Sequence, residues 1–353
     1  MTEMRHQFVD RESGEIRTEK FIGDKSINFL YSTAREKAPL LFKAITGARF
    51  SSEILAFLKF DIGWAPSRSA LEALGLNLSE CLHPEEFATM RRVFERQIRY
   101  WDCRPMSRIQ SSIVSPADSK VIVGSLNDTS SFFLKEKFFD YEELLGKDRT
   151  RWLDEFWKGD FAIFRLTPEK YHYNHTPVAG KVLDFYEIDG GYHSCNPSAA
   201  INIVTPFSKN RRVVTIIDTD IPGGTGIGLV AMIEIVALMI GEIVQVYSDL
   251  YYRDPKPITP GMFLKKGAPK SLYRPGSSTD LLLFQHDKVK FSGDLLRNRS
   301  LSNVRSRFSL MFGKPLVETD IKVRSTIGRA IPGNYKSIDR DVIQCVDNLD
   351  RSY

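Results

Sequence analysis

Apolar residues recur every three to four positions in the first third of the chain, and this spacing predicts helices. Asp24 is a suitable N-cap, and the apolar residues after it share one helical face; they are Ile27, Leu30, Tyr31, Ala34, Ala38 and Leu41. Pro39 should kink or divide this segment. Ser51 or Ser52 can cap a second helix, and residues 83–100 form a third. The pattern leaves open whether these helices pack on the core or lie on a membrane surface.

From about residue 108 the pattern changes to short β-branched runs separated by turn residues. The predicted strands are Ile109–Val114, Lys120–Val123, Phe161–Leu166, Ile201–Thr205, Val213–Ile217, Leu229–Ile235 and Leu281–Phe284. Few helical patterns lie between them, so repeated parallel βαβ units are not expected. The sequence predicts an α+β fold with N-terminal helices followed by a mostly antiparallel sheet.

Three regions follow from this division. Residues 1–107 are the helical region, residues 108–295 the β-rich domain that holds the reactive residues, and residues 296–353 a basic extension with a polar end. Residues 288–329 carry ten basic and three acidic side chains, although the whole chain has a net charge of only +5. Such a patch could attract anionic lipid headgroups.

Composition and cysteine spacing indicate the compartment in which the protein works. With 353 residues, 42% of them hydrophobic and 26% charged, the chain can bury a large core. Its four cysteines are Cys81, Cys103, Cys195 and Cys345, with no Cys-x-x-Cys pair. The polar start lacks the apolar segment of a signal peptide. We therefore expect a reducing, cytoplasmic compartment.

One apolar run, residues 227–246, is long enough to invite a membrane-spanning interpretation. It contains Glu234 and Glu242, and a carboxylate near the middle of a bilayer is costly. Buried core structure explains the run better. The glycine-rich stretch just before it, residues 222–228, lacks the following helix that a nucleotide-binding loop needs, and a hairpin loop is the better interpretation.

Three short segments concentrate the reactive groups. Asp118 lies in a proline-containing turn, His172 and His175 stand three residues apart, and Gly276, Ser277, Ser278 and Thr279 precede an apolar strand. Taken alone, each has an ordinary structural interpretation: a turn aspartate, a structural histidine pair and a hairpin turn. The two histidines could also serve acid–base chemistry. No third ligand lies nearby, so no metal site is predicted.

The serine segment also permits an unusual reaction. A serine hydroxyl that follows a strained or flexible residue can attack the preceding carbonyl group and form an ester. β-Elimination of that ester breaks the chain and leaves an N-terminal pyruvoyl group.

Together and in this order, the three segments resemble the phosphatidylserine decarboxylase family. The matching sequences are SPADS at 115–119, YHYNHTP at 171–177 and GSST followed by DLLLF at 276–284, with YHSCNP at 192–197 as a weaker mark. The resemblance covers about residues 8–295. Each motif alone is weak, but the ordered set is specific.

The resemblance implies a self-processing, pyruvoyl-dependent decarboxylase that converts phosphatidylserine to phosphatidylethanolamine and CO2. Asp118, His175 and one serine would form a base relay for cleavage, and His172 would protonate or hold the substrate. The register favours Ser278 as the pyruvoyl precursor, with Ser277, which directly follows Gly276, as the alternate. The two cleaved chains should stay associated. Peripheral membrane contact and a homodimer are also implied, but no nucleic acid.

Several positions depart from the family pattern. Ser119 and Val236 stand where the family has glycine, Tyr173 replaces an arginine, and Pro269 and Ser271 replace glutamate and glycine. These changes leave two alternatives open. The chain could decarboxylate a free aromatic amino acid, or it could be a non-cleaving family member that acts as a scaffold.

Overall fold

A computed structural model gives the fold. It describes residues 5–21, 24–47, 57, 60–61, 67–73, 75–127, 138–200, 202–203, 205–238, 242–275 and 278–331. The strands are β1 Gln7–Asp10, β2 Ile16–Thr18, β3 Ser112–Val114, β4 Ser119–Ser125, β5 Asp160–Leu166, β6 Tyr173–His175, β7 Gly180–Ile188, β8 Arg212–Asp218, β9 Leu229–Val236, β10 Ile243–Gln245, β11 Phe263–Leu264, β12 Pro269–Tyr273, β13 Ser278–Phe284, β14 Val289–Phe291, β15 Thr319–Ile321 and β16 Thr326–Ala330.

A ten-stranded sheet forms the centre of the protein. Its order is β11-β7-β8-β9-β13-β5-β4-β15-β1-β2, and neighbours run antiparallel except for the parallel pair β1 and β15. Strand β13 is fully buried and pairs along its whole length with β9 on one side and β5 on the other. The segment that begins at Ser278 is therefore a central strand.

Two three-stranded sheets pack around this centre. One has the order β10-β12-β6 and the other β14-β16-β3. The first joins the paired-histidine segment to the strand that leads toward Ser278. The second joins the end of the described chain to the strand before Asp118, because β16 pairs with β3. Residues from the predicted C-terminal extension thus contribute strands beside the reactive segments.

Short helices surround the sheets. They are α1 Asp24–Phe29, α2 Arg35–Lys37, α3 Pro39–Gly47, α4 Arg68–Ala73, α5 Met90–Phe94, α6 Tyr100–Cys103, α7 Tyr141–Leu145, α8 Thr150–Glu155, α9 Pro197–Ala200, α10 Pro206–Lys209, α11 Gly293–Arg299 and α12 Arg307–Phe312, with a π-helical turn at Leu30–Ala34 and 3-10 turns at Leu78–Glu80 and Pro84–Glu86. Pro39 divides the first helical segment, as its fixed φ predicts. The second predicted helix, after Ser51 or Ser52, falls mostly outside the described residues.

Alternation along the central strands places apolar side chains on both faces of the large sheet. On β13, Leu281 and Leu283 join one core with Phe161 and Ile163, whereas Leu282 joins the other. A strand buried on both faces reads as a continuous apolar run rather than an alternating one. This confirms the mostly antiparallel α+β fold predicted from the sequence.

Two local predictions are wrong. Of the strand predicted at residues 201–205, the described residues 202, 203 and 205 form turns and bends between α9 and α10, each of which has Pro at its first position. Residues 83–100 form no single helix. His83 adopts a left-handed backbone, the 3-10 turn follows it, and α5 ends at Phe94.

A buried ion-pair cluster joins the N-terminal hairpin, β5 and the start of β15. Arg165 donates to Glu19 at 2.6 and 2.9 Å and to Glu318 at 2.6 and 2.9 Å. His6 Nε2 lies 2.7 Å from Glu318 Oε2, and Lys120 Nζ lies 3.6 Å from Glu19. His6, Glu19 and Glu318 are spaced as metal ligands could be. The Arg165 guanidinium already occupies the carboxylate oxygens.

The Arg165 cluster predicts an unequal effect of two glutamate substitutions. Glu318→Gln removes one charge of a buried network and should lower the free energy of unfolding by about 3–5 kcal/mol. Glu15→Gln, at a 67% exposed side chain that pairs with Arg17, should cause no measurable change. Urea unfolding of both variants tests this, and equal stabilities would contradict it.

Candidate functional site

The three reactive segments meet through backbone hydrogen bonds. His175 N donates to Pro116 O at 2.7 Å, which ties the histidine strand β6 to the Asp118 turn. Tyr273 N donates to His172 O at 3.1 Å, which ties the same segment to the strand that leads to Ser278. The structure therefore brings together the segments that the sequence singled out.

Asp118 is buried and held by a bidentate ion pair. Arg104 donates to it through Nε at 3.0 Å and Nη2 at 2.7 Å, and Val323 N donates to Oδ1 at 2.8 Å. Arg104 also contacts Glu80 at 2.9 Å. Although burial opposes ionisation, the Arg104 charge lowers the pKa of Asp118 to about 2. Asp118 is thus a permanent anion whose hydrogen bonds go to Arg104 and Val323.

His175 is fixed in a neutral tautomer. Its Nδ1 lies 2.8 Å from Gly267 O, so Nδ1 carries the proton, and Nε2 lies 3.0 Å from the Tyr171 hydroxyl. Tyr171 in turn contacts the Tyr252 hydroxyl at 2.7 Å. Burial lowers the pKa of His175 to about 3, whereas the nearby Asp118 charge acts in the opposite direction. The unprotonated Nε2 is available as a base.

His172 lies in an apolar setting. Its ring stacks on Phe94 with centroids 3.6 Å apart, and neither ring nitrogen has a hydrogen-bond partner of normal geometry in the described part of the chain. Burial and the Arg96 charge hold its pKa well below the usual range. His172 is therefore neutral, and one of its nitrogens can accept or deliver a proton once a substrate arrives.

Ser278 is sealed inside the central sheet. It pairs with Leu166 and Val236, and its Oγ is buried with no partner among the described residues. The Cys195 thiol donates to the Ser278 carbonyl oxygen at 3.5 Å. Gly276 and Ser277 lie outside the described residues. Thr279 points to the opposite face of β13, as alternation along a strand requires.

Sequence reasoning missed a second polar group beside Ser278. The Tyr273 hydroxyl accepts from Ile235 N at 3.0 Å and contacts Thr279 O at 3.1 Å and Asp280 Oδ1 at 2.7 Å. It therefore bridges β9 and β13 one residue after Ser278. Asp280 shares the face of β13 that carries Ser278.

Asp280 faces a second carboxylate across the strands. Its register partner on β9 is Glu234, which pairs with Lys270 at 2.6 Å. Burial and the Glu234 charge raise the pKa of Asp280 well above its ordinary value, so Asp280 is a neutral acid. The signal was present in the sequence, since Glu234 and Asp280 are lone charges within apolar strands.

Two adjoining cavities lie beside the Asp118 and paired-histidine segments, and neither lining includes His172, His175 or Ser278. One, of about 370 Å³, is lined by Asp118, Arg104, Arg96 and Lys170 among other charged groups. The other, of about 490 Å³, has mostly apolar walls that include Phe94 and shares Arg96 with the first. Phe94 lies between the apolar cavity and His172. Together they form a site with one polar and one apolar half.

Comparison with known proteins agrees with this geometry. The phosphatidylserine decarboxylase family model matches residues 90–309. A phosphatidylserine decarboxylase proenzyme from Fusobacterium nucleatum is 30% identical over 301 residues, which is 83% of this chain and 91% of that protein. Proenzymes of the same name from Chlamydia trachomatis serovar D and Ruminiclostridium cellulolyticum are 29% and 28% identical and cover 82% of this chain each.

These matches, with the buried serine and histidines, define an enzyme of the carboxy-lyase class. The chain belongs to the phosphatidylserine decarboxylase family. The family assigned from sequence motifs is thereby confirmed.

The neutral state of Asp280 predicts a change in the pH dependence of stability. Folded Asp280 keeps a proton that the unfolded chain releases above about pH 4, so this group makes wild-type stability fall as pH rises, by up to about 1.4 kcal/mol per pH unit. The Asp280→Asn variant does not lose stability in this way, because asparagine does not ionise. The unfolding temperature of Asp280→Asn should rise relative to wild type between about pH 4 and pH 8.

Circular dichroism melts at several pH values measure this difference. Asp148→Asn, at an 82% exposed side chain, is the matched control and should follow wild type. A difference between Asp280→Asn and wild type that stays constant with pH would contradict a neutral Asp280.

Proposed function

We propose that this chain is a self-processing, pyruvoyl-dependent enzyme that decarboxylates phosphatidylserine to phosphatidylethanolamine. One observation carries the proposal: the Ser278 hydroxyl is buried and unpaired within the described structure, at the start of a central strand, and the His172, His175 and Asp118 segments are hydrogen-bonded to one another and to β12, the strand that precedes Ser278 in the chain. A buried hydroxyl without a partner is costly to keep, and such groups often serve a reaction.

The residues support a role for each group in cleavage. His175, neutral through its bond to Gly267, would accept the Ser278 hydroxyl proton as Oγ attacks the carbonyl carbon of residue 277. Asp118 would stabilise the resulting imidazolium through its charge. The peptide C–N bond breaks as the ester forms, and the amine of residue 278 takes up the proton.

Elimination then separates the two chains. Loss of the Cα proton of residue 278 expels the carboxylate of residue 277, and hydrolysis of the remaining enamine releases ammonia and leaves the pyruvoyl group. Ser278 Oγ, buried and without a hydrogen-bond partner in the described structure, can supply the oxygen for the ester. The products are a β chain of residues 1–277 and an α chain of residues 278–353.

The sheet topology supports continued association of these chains. In the large sheet, β13 and β15 belong to the α chain, whereas their partners β9, β5, β4 and β1 belong to the β chain. Every strand that the α chain supplies to this sheet is therefore paired on both sides with the β chain, so cleavage removes one covalent bond and no ladder.

His172 is the best placed group for the decarboxylation step. The pyruvoyl group supplies a ketone that condenses with the substrate amine and withdraws electrons as CO2 leaves. His172, neutral and with unpaired nitrogens in the described structure, would relay a proton to the substrate carbon, taking up one proton on its unprotonated nitrogen as it gives up the other. Its apolar setting against Phe94 disfavours the charged carboxylate and so favours loss of CO2.

The two cavities favour a phospholipid over a free amino acid. The polar cavity is lined by basic side chains, among them Arg96 and Lys170, and by about as many carboxylates, which suits a headgroup that carries both signs of charge. The adjoining cavity, with Met90 and Phe94 in its wall, extends this site with a mostly apolar surface that an acyl chain could occupy. The shape therefore supports a substrate with an acyl portion.

Exposed apolar side chains support peripheral membrane contact. Leu40 is 84% exposed, Leu41 57% and Phe29 61%, all on the N-terminal helices. Side chains of this kind can enter the boundary between headgroups and acyl chains. Among the described helices, none is both long and apolar enough to cross a bilayer. A homodimer stays a prediction.

The serine register yields the first test of this function. Ser278→Ala should remain one chain of 40.3 kDa, because its side chain lacks the attacking oxygen, whereas Ser277→Ala should still give two fragments. Intact mass spectrometry should find a pyruvoyl start at residue 278. The reverse pattern would assign the pyruvoyl group to Ser277, and a wild-type protein that never cleaves would identify the scaffold alternative.

Separating processing from catalysis gives the second test. His172→Gln should cleave normally but decarboxylate phosphatidylserine in mixed micelles about 10²–10⁴-fold more slowly, because glutamine cannot shuttle the proton. His83→Gln, at a 67% exposed side chain, is the control and should retain full rate. Release of CO2 from free aromatic amino acids but not from phosphatidylserine would overturn the substrate assignment.

A further inference from the structure

The turn between β15 and β16 is clamped to the Asp118 turn. Ser115 N donates to Ser325 O at 2.8 Å, and Arg324 N donates to Ser115 O at 2.9 Å. Between them, Val323 N donates to Asp118 Oδ1 at 2.8 Å. This turn follows the family-matched residues 90–309, yet it makes direct contact with the reactive region.

Arg324 sits in this turn with an unusual backbone. Its φ is +69°, a left-handed conformation that costs a non-glycine residue of order 1–3 kcal/mol and persists only where the surroundings enforce it. The two hydrogen bonds of the turn to Ser115 enforce it here. Backbone strain of this kind is concentrated at functional sites, which makes the contacts of the Arg324 side chain informative.

The Arg324 side chain touches two of the groups that pack on His175. Its Nη1 donates to Tyr100 O at 2.8 Å, and its guanidinium lies 5.0 Å from the Tyr100 ring centroid. Tyr100 meets the His175 ring edge-on at 4.7 Å. On the other side, Arg324 Nε packs on Gly267, where a Cβ would lie only 3.1 Å from it, and Gly267 O accepts from His175 Nδ1.

The charge of Arg324, like its contacts, favours the neutral form of His175. The positive charges of Arg324 and Arg104 lower the pKa of His175, and Asp118 raises it. The other titratable groups packed on His175 are phenols, those of Tyr100 and Tyr171. Arg324 Nε is buried and has no hydrogen-bond partner in the described part of the protein.

We propose that Arg324 is a positioning residue for self-processing, which holds His175 through Tyr100 and Gly267 as the neutral, Nδ1-protonated tautomer. This inference rests on the proposed function, since it assigns the purpose of that tautomer to the cleavage step. Arg324 belongs to the α-chain part of the sequence, whereas Tyr100, His175 and Gly267 belong to the β-chain part. Residues on both sides of the scissile bond thus prepare the base.

Histidine NMR tests the tautomer independently of activity. The Ser278→Ala protein, labelled with ¹⁵N-histidine, is compared with the same protein carrying Arg324→Gln or Arg324→Lys, and His175→Gln identifies the resonance. In Ser278→Ala alone, His175 should be a pure Nδ1-protonated tautomer. Arg324→Gln should give mixed tautomers or a titration midpoint about one pH unit or more higher; Arg324→Lys should lie closer to the parent.

Processing is measured in proteins that keep Ser278. Pulse-labelled cell-free synthesis followed by electrophoresis should show cleavage slowed about 10²-fold in Arg324→Gln, with partial recovery in Arg324→Lys. Lys322→Gln, at a 40% exposed side chain in the same turn, is the control for charge loss and should cleave at the wild-type rate.

A second variant covers the case in which Arg324→Gln does not fold. Met106 packs beside Gly267 and Arg324, so Met106→Glu neutralises the guanidinium and should raise the His175 midpoint relative to its match, Met106→Gln. The inference is overturned if His175 in Arg324→Gln stays a pure, neutral Nδ1-protonated tautomer at every pH. If Met106→Glu is the variant used, an unchanged His175 titration midpoint overturns it. A wild-type protein that never cleaves would instead overturn the proposed function, and the NMR comparison would stand.

Discussion

The structure depends on the burial of Ser278, the proposed nucleophile, in a strand that is hydrogen-bonded on both sides. Strand β13 cannot shift without breaking the ladders to β9 and β5, so Ser278 is held at one register and one depth. Such a site needs no ligand to be organised. The cost is an unpaired hydroxyl in the interior of the described fold, and the two strand ladders hold it in place.

Charge is distributed so that the reactive side chains stay neutral while their surroundings do not. Asp118 is neutralised by Arg104, and Glu234 by Lys270. His175 and Asp280 remain uncharged, mainly because burial disfavours ionisation in both, with Arg324 acting in the same direction on His175 and Glu234 on Asp280. Proton transfer creates charge on these groups, and fixed neighbours would stabilise that charge, as Asp118 would for the His175 imidazolium.

The fold class and the three reactive segments could be predicted because each has a local signature. Apolar runs revealed the central strands, and spacing revealed the paired histidines. The nine-residue strand β7 and the C-terminal strands β15 and β16 were not predicted, since their sequences mix charged and apolar residues and are stabilised by distant partners. For the same reason the Val323 and Gly267 contacts were invisible: both use backbone atoms, which carry no residue-specific signal.

The exclusion of Ser278 from solvent has a consequence for the fidelity of maturation. An ester at this position has two fates, elimination to a ketone or attack by water, and the second would leave an ordinary serine at the new terminus and a permanently inert enzyme. Because the Ser278 side chain has no exposed surface, bulk water is kept away while the ester is intact, and water is needed only after elimination, to hydrolyse the enamine. Exclusion of water from Ser278 would therefore determine what fraction of the molecules mature to the pyruvoyl form, before any substrate binds.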